Sequence, residues 1–275
     1  YRTCPSRAVR GHAGRRSGEG VSIMTEKNLT VVSNADVPAI PEELIGAGLE
    51  AMDRGDLIIP RARVIQPTSK LDGKPGQFYF NLTGQCKDSI HAVLLNMSKG
   101  RVYWSPDLAA DPLCASDDAR APREQREGYG PTCDICPFAQ WGDEGQPPKC
   151  SLVYNFLAAD LDDDNTPFLL ALHGSSVKHA KTVLSAFALK HRPLFSQPVQ
   201  IDAIEVKNDK GRFYEVVMRP NGGGRPFDWR PFAEMYRAYK HTTIRADADR
   251  EDFAAEAKAE ADDPDLLSDA EALPF

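Results

Sequence analysis

Four of the chain's six cysteines fall within 37 residues, and this clustering constrains the fold more than any other feature of the sequence. They are Cys114, Cys133, Cys136 and Cys150, of which the middle two form a C-x-x-C pair. Four thiolates complete a tetrahedral zinc sphere, and a C-x-x-C turn lets two sulfurs reach one ion. The surrounding sequence has few apolar residues to order it, so a metal would supply that ordering.

The spacing therefore predicts one structural Zn²⁺ on these four cysteines. Two alternatives stay open: an iron–sulfur cluster, which four cysteines and a Cys-Pro pair also permit, and reduced cysteines without a metal. No His-x-Glu accompanies the C-x-x-C, so the zinc-deaminase signature is missing. Four sulfur ligands leave no position for water, and we predict no catalytic residue here.

The net charge of −7 conceals a segregation of charge along the chain. Residues 246–275 carry −9, residues 1–23 carry +4, and the cysteine-rich residues 105–150 carry −5. What remains of residues 24–245 carries +3. This pattern indicates a mildly basic body with an acidic tail.

The chain divides into four predicted parts. Residues 1–23 are Arg-rich and lack a starting Met, which is typical of an upstream or non-native extension. Residues 24–55 form a leader with a short helix from Pro41 to Met52. Residues 56–240 form the body with a zinc insertion at 105–151, and residues 241–275 form a disordered acidic tail, whose few apolar residues cannot offset the ordering entropy.

Hydrophobic periodicity predicts a mainly β (α+β) body. Helices are predicted from Ser175 or Ser176 to Lys190 and from Asp228 to Tyr239, and Ser98-Lys99-Gly100 is predicted to be a hairpin turn. We expect an OB-like, closed or partly open β-barrel with an inserted Cys4 zinc loop and a few short helices, and a β-sandwich is the second choice. The strands are predicted at 57–65, 77–82, 91–97, 101–104, 152–161, 167–173, 199–206 and 212–218.

Cations beside aromatic residues mark candidate contacts to single-stranded nucleic acid, because bases stack on aromatic faces while cations neutralise phosphates. Alternation places Tyr79 opposite Phe78 and Phe80, and it places Arg101 and Tyr103 on one face. Most other aromatic residues are expected in the core. The predicted contacts are Arg61, Arg63, Lys74, Tyr79, Arg101, Tyr103, Arg212 and Tyr214.

The acidic tail ends in Leu273, Pro274 and Phe275. Pro restricts the peptide before binding, Leu273 and Phe275 can fill an apolar pocket, and the acids steer the peptide towards a basic rim. The sequence thus predicts a docking peptide at these three residues, and a solubilising tail is the alternative. By the sign of its charge, the tail can also occupy the basic groove until nucleic acid displaces it.

The four cysteines and the acidic Pro-Phe end resemble single-stranded DNA-binding proteins of the phage or prophage type, with the likeness in architecture covering residues 57–275. The resemblance implies a zinc-bearing OB body that coats and protects single-stranded DNA in phage replication, recombination and repair. It also implies recruitment of partner proteins through the tail, in the cytoplasm of a bacterial host. The sequence leaves a homo-oligomer open.

Two other classes compete with this hypothesis. One is a zinc-ribbon interaction subunit of a transcription or recombination complex. The other is a metal-dependent nuclease built from His173, His179 and His191 with the Asp162–Asp164 run. A run of three Asp residues is more often a solvated turn, so we expect a binding protein without enzymatic activity. No run approaches the ~18 to 20 apolar residues of a membrane span, so we expect no membrane partner.

Overall fold

The computed structural model describes residues 41–44, 46–53, 56–105, 112–143, 145–208, 211–221 and 226–242. Within them the body is mainly β, with nine strands in one curled half-barrel sheet and two α-helices. The helices are α1 (Val177–Ala188) and α2 (Arg230–Tyr239). The strands are β1 (Arg61–Val64), β2 (Phe78–Phe80), β3 (Cys86–Lys87), β4 (Ser89–Tyr103), β5 (Cys114–Ser116), β6 (Ser151–Asp160), β7 (Thr166–Leu172), β8 (Val199–Asn208) and β9 (Gly211–Pro220).

The strand order is β3-β2-β1-β7-β6-β4-β8-β9, and β5 pairs with β4 beside this path. The pairing of β1 with β7 is parallel, whereas the other pairings are antiparallel. The strands predicted at 152–161, 167–173, 199–206 and 212–218 are confirmed; β6 pairs with β7, and β8 pairs with β9. The cysteine-rich segment enters after β4 and leaves into β6, as an insertion should.

The predicted hairpin at Ser98-Lys99-Gly100 is wrong, because these residues continue the 15-residue strand β4. Each of them pairs with β6, and Gly100 lies opposite Val153. A register shift between Leu94 and Asn96 marks a β-bulge, which lets so long a strand bend without a turn. The turn signal came from three adjacent residues. The hydrogen-bond ladder that overrides it is formed with β6, about 55 positions later in the chain.

The two faces of the sheet are covered by different helices. On the inner face, the buried Ala180, Val183 and Phe187 of α1 join a core that contains Phe78 of β2 and Val216 of β9. Strands from opposite ends of the strand order thus share one core, which requires the sheet to curl. On the outer face, Phe232 of α2 packs in a smaller cluster with Val93, Leu95, Leu157, Ala159 and Leu169.

A buried glutamine joins the two ends of the curled sheet. The Gln66 side chain, just past β1, donates from Nε2 to the Tyr214 carbonyl of β9 at 2.8 Å, and its Oε1 accepts from the Tyr214 amide at 2.8 Å. Gln66 is 4% exposed. A Cβ on Gly76 would lie 2.5 Å from the Tyr214 ring, so the approach requires glycine there. We call this contact of Gln66, Gly76 and Tyr214 the seam.

The hydroxyl of Ser176 protects the same edge of β9 by accepting from the Val216 amide at 3.1 Å. The sequence predicted Ser175 or Ser176 as the N-cap of α1, yet Ser176 makes no side-chain cap. A 3-10 turn at Gly174–Ser176 precedes the helix instead. Unpaired N–H and C=O groups at a sheet edge can pair with another chain. The Ser176 hydroxyl satisfies one such group of β9 and does not cap α1.

The predicted helix from Pro41 to Met52 is reduced to one 3-10 turn at Glu42–Leu44. Gly46 and Gly48 follow it at φ of 83° and 86°, in the left-handed region, which interrupts a helix. Residues 1–40 and 243–275 lie outside the described residues, and so do the predictions for the extension and for most of the tail.

The seam predicts that Gln66→Ala lowers the free energy of unfolding by about 1 to 3 kcal/mol, because two buried backbone groups of Tyr214 lose their partner. Urea unfolding followed by circular dichroism measures it. Gln85→Ala is the matched control, since it truncates a half-buried glutamine away from the seam. Equal stabilities of the two variants would contradict the closing role of Gln66.

Candidate nucleic-acid interface and cysteine cluster

One row of side chains crosses the outer face beside the part that α2 covers. Cross-strand pairing places Ser98 beside Asn155, Asn155 beside Ala171, and Arg63 beside Tyr79. Arg63 and Ala171 line a common pocket, which joins the two halves of the row. We call these five residues the outer row.

The β1–β2 end of the outer row combines an aromatic ring with guanidinium groups. Tyr79 and Arg63 are half-buried, and Arg61 lies two residues earlier on the same face. Ala62 is 3% exposed and belongs to the core on the opposite face. Side chains of a cross-strand pair lie close enough to act together, so a base on Tyr79 would bring its phosphate towards Arg63.

Lys74, Tyr214 and Arg212 gather near the seam. Lys74 is exposed in the loop between β1 and β2, two residues before Gly76, against which the Tyr214 ring lies. Arg212 is exposed on β9, and its Nη1 lies 4.0 Å from Glu205, which also faces Lys207 at 3.7 Å. The structure therefore brings most of the predicted contacts to the outer face of β1–β2 and to the seam.

Arg101 and Tyr103 lie elsewhere, against the cysteine segment, which we define as residues 114–150. Arg101 donates to the Cys150 carbonyl at 3.2 Å. The Tyr103 ring stacks on Phe138 with centroids 5.1 Å apart and tilts against Tyr129 at 6.3 Å. Both side chains therefore anchor the cysteine segment to the end of β4.

Backbone contacts hold the cysteine segment around its thiols. The Cys133 amide donates to the Arg120 carbonyl and the Cys150 amide donates to the Phe138 carbonyl, both at 2.8 Å. A Cβ on Gly130 would lie 2.7 Å from the Cys136 Cα, so this turn requires glycine. Cys133, Cys136 and Cys150 are buried.

The thiols influence one another electrostatically. Burial, partly opposed by Arg101, raises the pKa of Cys150 to about 12, and the other three cysteines add to the increase. Burial and the nearby Cys133 and Cys136 also raise the pKa of Cys114. Across the described part of the chain, however, no three His, Cys, Asp or Glu side chains are positioned to hold a metal ion. Thiolate sulfurs are ligands that zinc accepts, but the four sulfurs are not arranged as a ligand sphere in this structure.

A buried carboxylate, Glu215, was missed from the sequence. Its carboxylate lies 3.1 Å from Lys178 Nζ and 3.1 Å from His179 Nε2. Burial alone would raise its pKa, but hydrogen bonds from Ser175, His179 and Lys178 together hold the pKa below its usual range. This cluster fastens α1 to β9. An acidic residue inside the apolar run of β9 was the available signal.

The residues of the nuclease hypothesis do not converge. His173 follows the C-terminal end of β7, whereas the Asp162–Asp164 turn precedes its start, at the far end of the seven-residue strand. Such a strand spans roughly 20 Å. His179 is committed to Glu215, and His191 is exposed beyond α1.

Comparison with known protein families matches residues 31–245 to the Pam3 phage gp34-like proteins. The chain belongs to this family. It is thus a phage-type protein, in partial agreement with the predicted resemblance. Searches of curated proteins and of solved structures found no match.

The family match spans the whole described body, including the outer row, the seam and the cysteine segment. It ends before the acidic tail, so Leu273, Pro274 and Phe275 lie outside both the match and the described residues. Among the helices described for this phage-type protein, none has the length and apolar character that crossing a membrane requires.

Proposed function

We propose that this phage-type protein binds single-stranded DNA through the outer face of β1 and β2 and coats it during phage replication, recombination and repair in the host cytoplasm. The observation that carries the proposal is the cross-strand pair of Tyr79 and Arg63, both half-buried on a face that also holds Arg61. Stacking and phosphate neutralisation need these two chemistries side by side, and neither depends on base identity.

The curled sheet supports an OB-like, partly open barrel as the finer description of the body. The shared core of β2 and β9 and the bonds of Gln66 to Tyr214 bring the two sheet ends together. Gln66 of the seam lines the same pocket as Arg63 of the outer row. Tyr214 of the seam and the nearby Lys74 would therefore extend the path of a bound strand.

The proposal predicts separable effects of Arg63→Ala and Tyr79→Ala on oligo(dT) affinity, measured by fluorescence anisotropy over a salt series. Arg63→Ala should reduce the slope of log K against log salt by roughly 0.7, because one phosphate contact is lost. Tyr79→Ala should cost about 1 to 3 kcal/mol of binding and leave the slope unchanged, because stacking is uncharged.

Arg192→Ala provides the matched control, since Arg192 is an exposed arginine that follows α1 and is not part of the outer row. It should leave both affinity and slope close to those of the unaltered protein. Equal affinity of the unaltered protein for duplex and for oligo(dT) would reject the proposed function. Unaltered oligo(dT) binding by both variants would reject only the placement on β1–β2.

We also propose that the cysteine segment takes one structural Zn²⁺ on Cys114, Cys133, Cys136 and Cys150. Four thiols are the soft donors that zinc accepts, and their backbone anchors hold them within one small segment. Zinc would act structurally, drawing the sulfurs together and tying the insertion to β4.

Elemental analysis should therefore find one zinc per chain, and Cys133→Ser should lower that content and expose the cysteine segment to protease. Ile135→Ala is the matched control, because Ile135 lies between the C-x-x-C sulfurs with its side chain 62% exposed. Its zinc content should be unchanged. Protein without zinc, or with iron and a visible absorption band, would contradict the proposal.

An interaction subunit is the second candidate function, and exposed apolar side chains favour it. Ile135 and Trp141 are 62% and 50% exposed on the cysteine segment. Such side chains suit contact with another protein. Three results together would favour this candidate. The protein would not bind oligo(dT), substitution of Tyr79 and Arg63 would leave partner capture unchanged, and substitution of Ile135 and Trp141 would abolish partner capture.

The acidic tail would recruit replication and recombination proteins, and two deletions separate this role from screening of the interface. Removing 273–275 should abolish partner capture in pull-downs with the host or phage polymerase, helicase and recombinase while leaving DNA affinity nearly unchanged, since the tail's side-chain charge remains. Removing 246–275 takes away −9 and should raise oligo(dT) affinity, most at low salt. Partner capture unchanged by both deletions would leave the tail a solubiliser.

A further inference from the structure

Two neighbouring side chains of the outer row, Asn155 and Ser98, hold buried polar atoms without hydrogen-bond partners among the described residues. Asn155 is 1% exposed, and neither its Oδ1 nor its Nδ2 has a partner among the residues that the structure describes. The same holds for the Ser98 hydroxyl, which is its cross-strand neighbour. An unpaired buried polar group destabilises the folded state, so a sheet face that retains two adjacent ones is costly to keep.

The surroundings of Asn155 are more open than Asn155 itself. Ser98 and Ala171 flank it on the neighbouring strands and are half-buried. Ala171 is the small side chain between Asn155 and Arg63 in the outer row, and it lines a pocket together with Arg63. Ser98, Asn155 and Ala171 thus form a strip of the sheet face that leads to Arg63 and Tyr79.

We propose that Asn155 and Ser98 form a hydrogen-bonding subsite for the edge of a nucleobase in the bound single strand. A carboxamide offers one donor and one acceptor in a plane, which matches the paired donor and acceptor on a base edge. A base stacked near Tyr79 with its phosphate at Arg63 would have a neighbouring base within reach of the strip. The inference rests on the proposed single-strand binding and adds contacts that depend on the base.

The test compares Asn155→Leu and Ser98→Ala with the unaltered protein, using oligo(dT) and an abasic oligonucleotide of the same length. Asn155→Leu should weaken oligo(dT) binding about tenfold and leave abasic binding unchanged, because only the base edge contacts the amide. Ser98→Ala should show a base-dependent loss of about fivefold. The melting temperature of Asn155→Leu should stay the same or rise, since an unpaired buried amide is replaced by an apolar side chain of similar size.

Ser196→Ala is the matched control, because Ser196 has a buried hydroxyl with no partner among the described residues and lies outside the outer row. It should bind both oligonucleotides as the unaltered protein does. If the unaltered protein binds neither, the proposed function fails. Two results would overturn the subsite in a protein that binds oligo(dT). In the first, Asn155→Leu and Ser98→Ala bind oligo(dT) as tightly as the unaltered protein does. In the second, both variants lose affinity for oligo(dT) and for the abasic oligonucleotide to the same extent. Should Asn155→Leu not fold, Ser98→Ala alone decides between these outcomes.

Discussion

The two hydrogen bonds between the Gln66 side chain and the Tyr214 backbone are the constraint on which the rest of the body depends. A carboxamide presents the same donor and acceptor as a peptide group, so Gln66 pairs with the edge of β9 as a strand would. The Ser176 hydroxyl accepts from the next outward-facing amide along that edge, that of the buried Val216. Side chains thus protect an edge that would otherwise be open to pairing with another chain.

The curl of the sheet determines which of its side chains are covered by other elements. The inner face is filled by one core and by α1, and the outer face is partly covered by α2. The outer row lies beside the part of the outer face that α2 covers, and the row and the seam bring together residues far apart in sequence. Positive net charge lies in the body, whereas negative net charge lies in the acidic tail and around the cysteine segment. The body would therefore attract a polyanion more strongly than the other two parts would.

The sequence predicted most elements of this fold because alternation and helical periodicity are local signals. The two faces of β2 were predicted from the alternation of Tyr79 with Phe78 and Phe80, and both helices were predicted within a few residues of their bounds. It failed at Ser98–Gly100, where pairing to β6 overrides a turn signal. Neither Gln66 nor Asn155 could be singled out, because their roles depend on neighbours about 60 to 150 positions away in the chain.

The central claim is that the outer row, and not merely any exposed aromatic residue, meets single-stranded DNA. Photo-crosslinking to an oligonucleotide containing 5-bromodeoxyuridine, followed by peptide mass spectrometry, tests it directly. Trp141 and Trp229 are the natural comparison, since both are about half exposed while Tyr79 is less so. We predict crosslinks on the peptide that contains Tyr79, whereas crosslinks confined to Trp141 and Trp229 would contradict binding at the outer row.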